Sequence, residues 1–337
     1  MLLEMTDQIV LRDAPALDGL TFRLFRDESD YAHIVELINV CSVADGVEDH
    51  ATVEWATNFF AHIAGFDPRR DILFAAIDDR PMGWVRAWIR PLDDGTQVCI
   101  VNGGVLPQWR RRGIGRALQH WGEQHLRDTA AQQPTAGPHV FRSFAADSEV
   151  GTIALLEKEG YQAIRYGFEM ARPFTEPIPD LALPEGVKVR PVAPEQYRQV
   201  AAALNEAFRD HWSHSESTEE DYQRWINSPS FQPHLWQVGW ADDEVAGMVL
   251  NFIDQEYNAE FKRLRGWTDP ICVRRPWRKQ GLAKALIARS MRLLQERGMT
   301  EAGLGVDAQN PNGALRLYES LGFRVTKKFM TYEKPLD

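Results

Sequence analysis

Two short basic runs with a central glycine carry the strongest chemical signal in the chain. Arg278-Lys279-Gln280-Gly281-Leu282-Ala283 lies between a β-like stretch and the start of an amphipathic helix. Glycine allows a tight turn and lets a ligand approach the backbone amides. The first N–H groups of a helix have no internal partner, and the helix dipole favours an anion there. A pyrophosphate suits such a place. Arg274, Arg275, Arg278 and Lys279 put four cations nearby. Arg110, Arg111, Arg112, Gly113, Ile114 and Gly115 repeat the arrangement earlier, after a stretch that ends at Val105. One such loop is commonly a solvated basic turn. Two, each in a strand-to-helix setting, point to anion binding.

The elements around these loops also recur. Arg23 matches Arg190, Gly83 matches Gly247, Gly113 matches Gly281 and Gly160 matches Gly322, in one order and at nearly constant spacing. This is the mark of a duplicated domain. The repeats are read as 1–172 and 187–337, joined by a stiff linker at 173–186 that holds four prolines. Each repeat opens with a short strand (21–25 and 187–192) and continues into an amphipathic helix such as Y-R-Q-V-A-A-A-L-N-E-A-F. Two β-rich runs joined by an Asp-Asp turn follow, then a strand (98–105 and 271–273) leading into the basic loop. In the second repeat Ala283, Ile287, Met291 and Leu294 line one face of a long helix that stops at Gly298. A strand ending near Val306, a short helix over 314–321 and final strands over 323–332 complete it.

Composition narrows the function class. The chain has 337 residues, enough for two cores, and a formal net charge of −10. Binding to nucleic acid or to an anionic membrane is not expected. No apolar run is long enough to span a bilayer. The N-terminus has no basic region before an apolar core, so no signal peptide is read and a cytoplasmic location is expected. Cys41, Cys99 and Cys272 lie far apart, which argues against a disulfide framework or a cysteine-rich zinc site.

The paired loops resemble the signature of the GNAT superfamily of acetyl-CoA-dependent N-acyltransferases, Gln/Arg-x-x-Gly-x-Gly/Ala. Both copies fit, as Arg110-x-x-Gly113-x-Gly115 and Arg278-x-x-Gly281-x-Ala283. A second element of that family, N-P-N-G-A-L-R-L-Y-E-S-L-G-F, stands at 310–323. The resemblance implies an α/β (mixed α+β) fold of two tandem domains. Each would be a mostly antiparallel mixed sheet with a splayed central strand pair and flanking helices. It implies that acetyl-CoA is the co-substrate, held at the two basic loops with its pantetheine arm between the splayed strands. A free backbone N–H of Ile271, Cys272 or Val273 would polarise the thioester carbonyl, and Val105 is counted with the cofactor-binding residues of the first copy. Asn310 or Asn312 would cap the short helix or touch the cofactor. Tyr318 matches the tyrosine whose hydroxyl protonates the leaving thiolate.

The two repeats are not equal at this point. Aligning Gly160 with Gly322 sets Leu156 opposite Tyr318, and Ser148 and Val150 opposite Asn310 and Asn312. Leucine cannot donate a proton. The C-terminal domain is therefore expected to be catalytic and the N-terminal one a scaffold that keeps the cofactor loop. The alternative is a non-catalytic acyl-CoA-binding or sensing protein on the same tandem fold.

Acetyl transfer to an amine also needs a base. Strand alternation would place Asp269 on one face with Ile271 and Val273, and it is the first candidate. Glu256 and Glu260 are comparable, and a solvated turn is the bland reading of all three. The segment 209–222 carries Asp210, Glu216, Glu219, Glu220 and Asp221 with His211, Trp212 and His214. It would suit a small cationic amine as substrate, or simply begin a helix, since acids are favoured in a first turn. His211 and His214 have no obvious third ligand, so no metal is expected. Cys272 reads as a buried, inert thiol.

Overall fold

The computed structural model describes residues 8–132, 135 and 137–336. Two compact units emerge. The first runs to Ile164 and takes in the chain from Met330, and the second is Arg165–Phe329. The units therefore differ from the repeats read in the sequence. The last strand of the first repeat passes into the second unit, and the chain end returns to the first.

The first unit follows the order β1 (Leu20–Leu24), α1 (Asp30–Asp45), α2 (Val53–Ala61), α3 (Pro68–Asp71), β2 (Ile72–Ile77), β3 (Arg80–Pro91), β4 (Gln97–Val105), α4 (Ile114–Gln132), β5 (His139–Ala146), α5 (Val150–Lys158) and the start of β6 (Gln162–Pro173). β1 to β4 form an antiparallel meander, and β4 pairs with β5 in parallel. The expected Asp-Asp hairpin is present. Asp78 and Asp79 both take positive φ (49° and 62°), the geometry of a two-residue turn that follows strand twist.

The second unit repeats this plan. It runs β7 (Val187–Val189), α6 (Tyr197–Phe208), α7 (Glu219–Ile226), β8 (Gln237–Ala241), β9 (Glu244–Phe252), α8 (Gln255–Glu260), β10 (Arg265–Val273), α9 (Leu282–Glu296), β11 (Glu301–Asp307), α10 (Ala314–Ser320) and β12 (Arg324–Pro335). β7 to β10 are antiparallel, β10 pairs with β11 in parallel, and β11 pairs with β6 antiparallel. β7 ends earlier than expected, at Val189, and Pro191 beyond it has no N–H to extend a ladder. β10 begins earlier than expected and is interrupted by a bulge between Thr268 and Ile271.

Two apolar layers flank this sheet. Leu286, Ile287, Met291 and Leu294 of α9 pack with Ala302, Leu304 and Val306 of β11 and with Phe323. On the other face Val200 and Ala203 of α6 pack with Trp236, Trp240, Met248 and Cys272. The proline-rich stretch read as a linker is instead laid on the first layer. Phe174, Ile178, Leu181 and Leu183 pack against it, and Arg292 donates to the Pro179 carbonyl and to Asp180, each at 2.7 Å.

Candidate active site

The basic loop of the second unit is held open by its own arginines. Arg278 donates Nε to the Val273 carbonyl (3.0 Å), Nη1 to Asp210 (2.8 Å) and Nη2 to the Ala207 carbonyl (3.1 Å). Arg275 also bonds Asp210, and Arg274 bonds Glu206 at 2.7 Å. Hydrogen bonds from Arg275 and then Arg278 hold the Asp210 carboxyl well below the usual carboxylate range. Three of the four expected cations are thus neutralised and serve as braces, and only Lys279 has no ion pair among the described residues. What the loop can offer an anion is therefore mainly backbone. Lys279 and Gly281 take positive φ (62° and 85°), so the chain turns sharply into α9 and leaves its first N–H groups facing outward. Nothing stands within 4 Å of where a Gly281 side chain would begin.

Beside the loop the parallel strand pair opens. β10 and β11 pair only at 265–267 with 301–303 and then diverge. The gap adjoins a cavity of about 520 Å³ lined by Ile271, Cys272, Val273, Arg278, Lys279, Gly281, Leu282, Ala283, Asn310, Asn312 and Tyr318, with Asp210 and His211 at one side. The N–H of Arg274 bonds the Ala246 carbonyl on β9. By alternation the Cys272 amide also faces β9, so the amides of Ile271 and Val273 face the gap. Gln280 stays out of the cavity and donates to the Pro276 carbonyl. Neither asparagine caps α10 through its side chain. Asn310 Oδ1 accepts from the Asn312 N–H, and Gly313 holds the cap position.

Tyr318 is buried against Phe323, lines the cavity and makes no hydrogen bond through its hydroxyl among the described residues. Burial, then the nearby Asp269 and Cys272, push its pKa up, so the proton stays on the ring oxygen. Asp269 does not share a face with Ile271 and Val273 by simple alternation, because the bulge adds a residue between them. Its carboxylate instead reaches across the gap. Oδ2 stands 3.3 Å from where a Gly305 Cβ would be, and the Gly305 N–H donates to the carboxyl. Desolvation raises its pKa to about 6. Burial pushes the Cys272 thiol up to about 12, which disfavours a thiolate nucleophile.

The first unit repeats the loop geometry with a different side chain at the tyrosine position. Arg110 donates Nε to the Val105 carbonyl (2.9 Å) and forks onto Asp45 at 2.6 and 2.8 Å. Arg111 and Gly113 repeat the positive φ values, at 61° and 91°. β4 and β5 pair at 97–100 with 139–142 and then part. A cavity of about 620 Å³ is lined by Val105, Arg110, Arg111, Gly113 and Gly115, with Leu156 where the second unit has Tyr318. Ile114 is buried in the core instead, and Arg112 stacks on Trp109 with its guanidinium 4.9 Å from the ring centre.

The other sequence candidates are drawn elsewhere. Glu219 pairs with Arg198, Glu216 with Arg209, and Asp221 with Arg224 while closing a capping box with Thr218. The acidic run therefore starts α7 and braces loops. Glu256 and Glu260 are exposed on α8, outside the cavity lining. His211 lines the cavity, whereas His214 bonds Asn205. Among the described residues no cluster of three or more His, Cys, Asp or Glu could hold a metal ion, and no helix is long and apolar enough to cross a membrane. Asp45 and Glu206, which pair with Arg110 and Arg274, are neighbours of the two loops that sequence reasoning missed, since their partners lie far away in the chain.

Comparison with known proteins bears on the same residues. The sequence profile of the acetyltransferase (GNAT) family matches residues 33–140 and 197–323. A mycothiol acetyltransferase of Thermobispora bispora is 32% identical over 241 residues, covering 70% of this chain and 75% of that protein. Another, of Geodermatophilus obscurus, is 28% identical over 300 residues, covering 88% and 92%. The crystal structure of a GCN5-related N-acetyltransferase from Sphaerobacter thermophilus matches with a TM-score of 0.71 at 26% identity, over 95% of this chain and 96% of that one. A tandem GNAT protein from the clavulanic acid biosynthesis pathway shares the fold, with a TM-score of 0.66 at 16% identity over 94% and 99%.

Proposed function

We propose that this chain, which belongs to the acetyltransferase (GNAT) family, moves the acetyl group of acetyl-CoA to the primary amine of a small molecule in its second unit. The observation that carries this reading is the unpartnered Tyr318 hydroxyl in the cavity, at the place where the first unit has Leu156. Acetyl-CoA fits the residues present. The loop from Arg278 to Ala283 offers outward helix N–H groups, the Lys279 ammonium and open space above Gly281 to a pyrophosphate.

When bound, acetyl-CoA supplies an activated acetyl thioester. The Ile271 and Val273 amides, which face the gap, would stabilise negative charge developing on its carbonyl oxygen. Asp269, with a pKa near 6, accepts the proton that the amine must shed. Tyr318 Oη holds the proton that the sulfur takes up on leaving. Asp210, the carboxylate in the cavity lining, is already paired with Arg275 and Arg278, which favours Asp269 at the gap as the group that meets the amine. The first unit keeps the loop and lacks the acid, and is read as a non-catalytic copy.

The names of the relatives point to one acceptor to try first, the amine that acetylation would convert to mycothiol. The test is a screen of that amine and other small primary amines against acetyl-CoA, read as free thiol release. Transfer to an amine, slowed in Tyr318→Phe and kept in Leu156→Phe, is the expected result. Thiol release with no amine dependence would replace this reading with an acyl-CoA-binding or hydrolysing one.

A further inference from the structure

The acceptor must meet the splayed strands on the face of β11 that points away from α9 and α10, and that face is walled by a residue from the first repeat. Ala302, Leu304 and Val306 take the α9 side. Gly303, Gly305 and Asp307 alternate onto the other side, opposite Ala171, Glu169 and Gly167 of β6. The Asp269 carboxylate lies there too, against Gly305. Arg165 stands two residues before Gly167 and shares its face.

Arg165 donates Nε and Nη2 to the two oxygens of Asp307, at 3.0 and 2.6 Å, and Nη2 also approaches the Gln309 carbonyl at 3.4 Å. Its guanidinium lies 5.0 Å from the centre of the Trp212 ring. Three segments meet at this one side chain. They are strand β6, the turn at 307–313 that carries Asn310 and Asn312 into α10, and the 209–218 loop whose Asp210 and His211 line the cavity. The pair is 18% and 10% exposed, so it is screened less than a surface bridge, and its forked geometry fixes orientation.

We propose that Arg165 is a positioning residue for the acceptor amine. By joining Asp307 to Trp212 it holds the 209–218 loop over the open face of the splay, beside Asp269. This rests on the second unit being the catalytic one. The acetyl-CoA side keeps braces of its own, because Arg278 holds the phosphate loop to the Val273 and Ala207 carbonyls, outside the 209–218 loop. Loss of Arg165 should therefore separate the two substrates.

The experiment uses the full chain with acetyl-CoA and the amine that acetylation would convert to mycothiol. Arg165→Met and Asp307→Asn are each expected to raise the amine KM about tenfold or more, with the acetyl-CoA KM within about twofold. The double variant should be no worse than either single one, since both break one contact. Arg165→Lys should recover part of the loss, because an ammonium meets the carboxylate without the fork. Trp212→Leu probes the same contact without touching β11 and should show the same split. Equal rises in both KM values, or additive losses, would overturn the proposal. Hydrogen exchange over 209–218 runs beside the kinetics and should quicken in Arg165→Met. Unchanged exchange overturns the proposal whether or not that amine is turned over. If the wild type acetylates no amine while exchange responds, the catalytic reading fails and the loop-holding role stands.

Discussion

At the scale of single residues the site separates a group that keeps its proton from one that sheds it near neutrality. Tyr318 is pushed up by burial and by Asp269, so its hydroxyl remains a donor. Asp269 is raised from 3.8 to about 6. Below that pH it is mostly protonated and cannot serve as a base. The kcat/KM for the amine should therefore rise with pH through about 6 and flatten above it, until the amine itself changes state. Asp269→Asn should lower activity about 10²–10³-fold and erase that rising limb. A full-strength limb near 6 in the variant would place the base elsewhere. The same shift has a stability consequence. The protonated form is favoured in the fold, so its contribution is complete below the ordinary carboxyl pKa and is lost as pH rises past about 6. Asp269→Asn should thus melt no lower than the wild type at pH 7. Tyr318→Phe keeps the ring against Phe323 and removes a hydroxyl with no protein partner. Its kcat should fall about 10–10³-fold while its melting temperature barely moves. Full activity in Tyr318→Phe would remove the tyrosine from the mechanism.

At the scale of elements, the strand–loop–helix unit does its work through backbone geometry, and the arginines around it act as braces. Gly281 is needed for its φ of 85° and for the open space its missing side chain leaves. Gly281→Glu would strain the turn and set a carboxylate where an anion is to bind. Calorimetry with acetyl-CoA should show the second-unit site lost and the first-unit site, if occupied, untouched. Unchanged affinity there would move the pyrophosphate elsewhere. This unit was legible in the sequence because its spacing is local. The glycines, the helix start, the short helix with Tyr318 and the Asp78-Asp79 hairpin all follow from neighbours within a few residues. The sign and number of charges were legible too, but not their use. Nothing within ten residues of Arg278 shows that Asp210 will neutralise it, and nothing beside Glu219 shows its pairing with Arg198, whereas the helix start at Thr218 was legible as the other use of those acids. The bulge that turns Asp269 across the gap is likewise set by pairing with β9 and not by the alternation of β10 alone.

At the scale of the whole molecule, the two compact units do not share the boundaries of the two sequence repeats. The repeats align landmark by landmark, so a boundary at the proline-rich stretch is the natural reading, yet strand pairing ignores it. β11 is completed by Gly167–Pro173 from before that stretch. The first unit takes Met330 onward, where Glu333 bonds Arg142 and Lys334 reaches the buried Glu123 at 2.8 Å. Arg127 also donates to the Leu336 carbonyl at 3.1 Å. A fragment of residues 1–172 would lose all three contacts and expose the edge of β5. Leaving the Glu123 carboxylate without its ammonium should alone cost on the order of 3 kcal/mol, a large share of a domain's stability. A fragment of residues 174–337 would lose the strand beside β11 and with it Arg165. Each fragment is therefore expected to melt far below the full chain, or to associate through its open edge, when followed by circular dichroism and size-exclusion chromatography. Within the full chain, Lys334→Met should lower the melting temperature without changing the KM for either substrate, because its partners lie in the first unit. A monomeric 1–172 fragment that melts cooperatively at the temperature of the whole protein would show that the closing strand is dispensable, and the duplicated halves would then be domains in the ordinary sense.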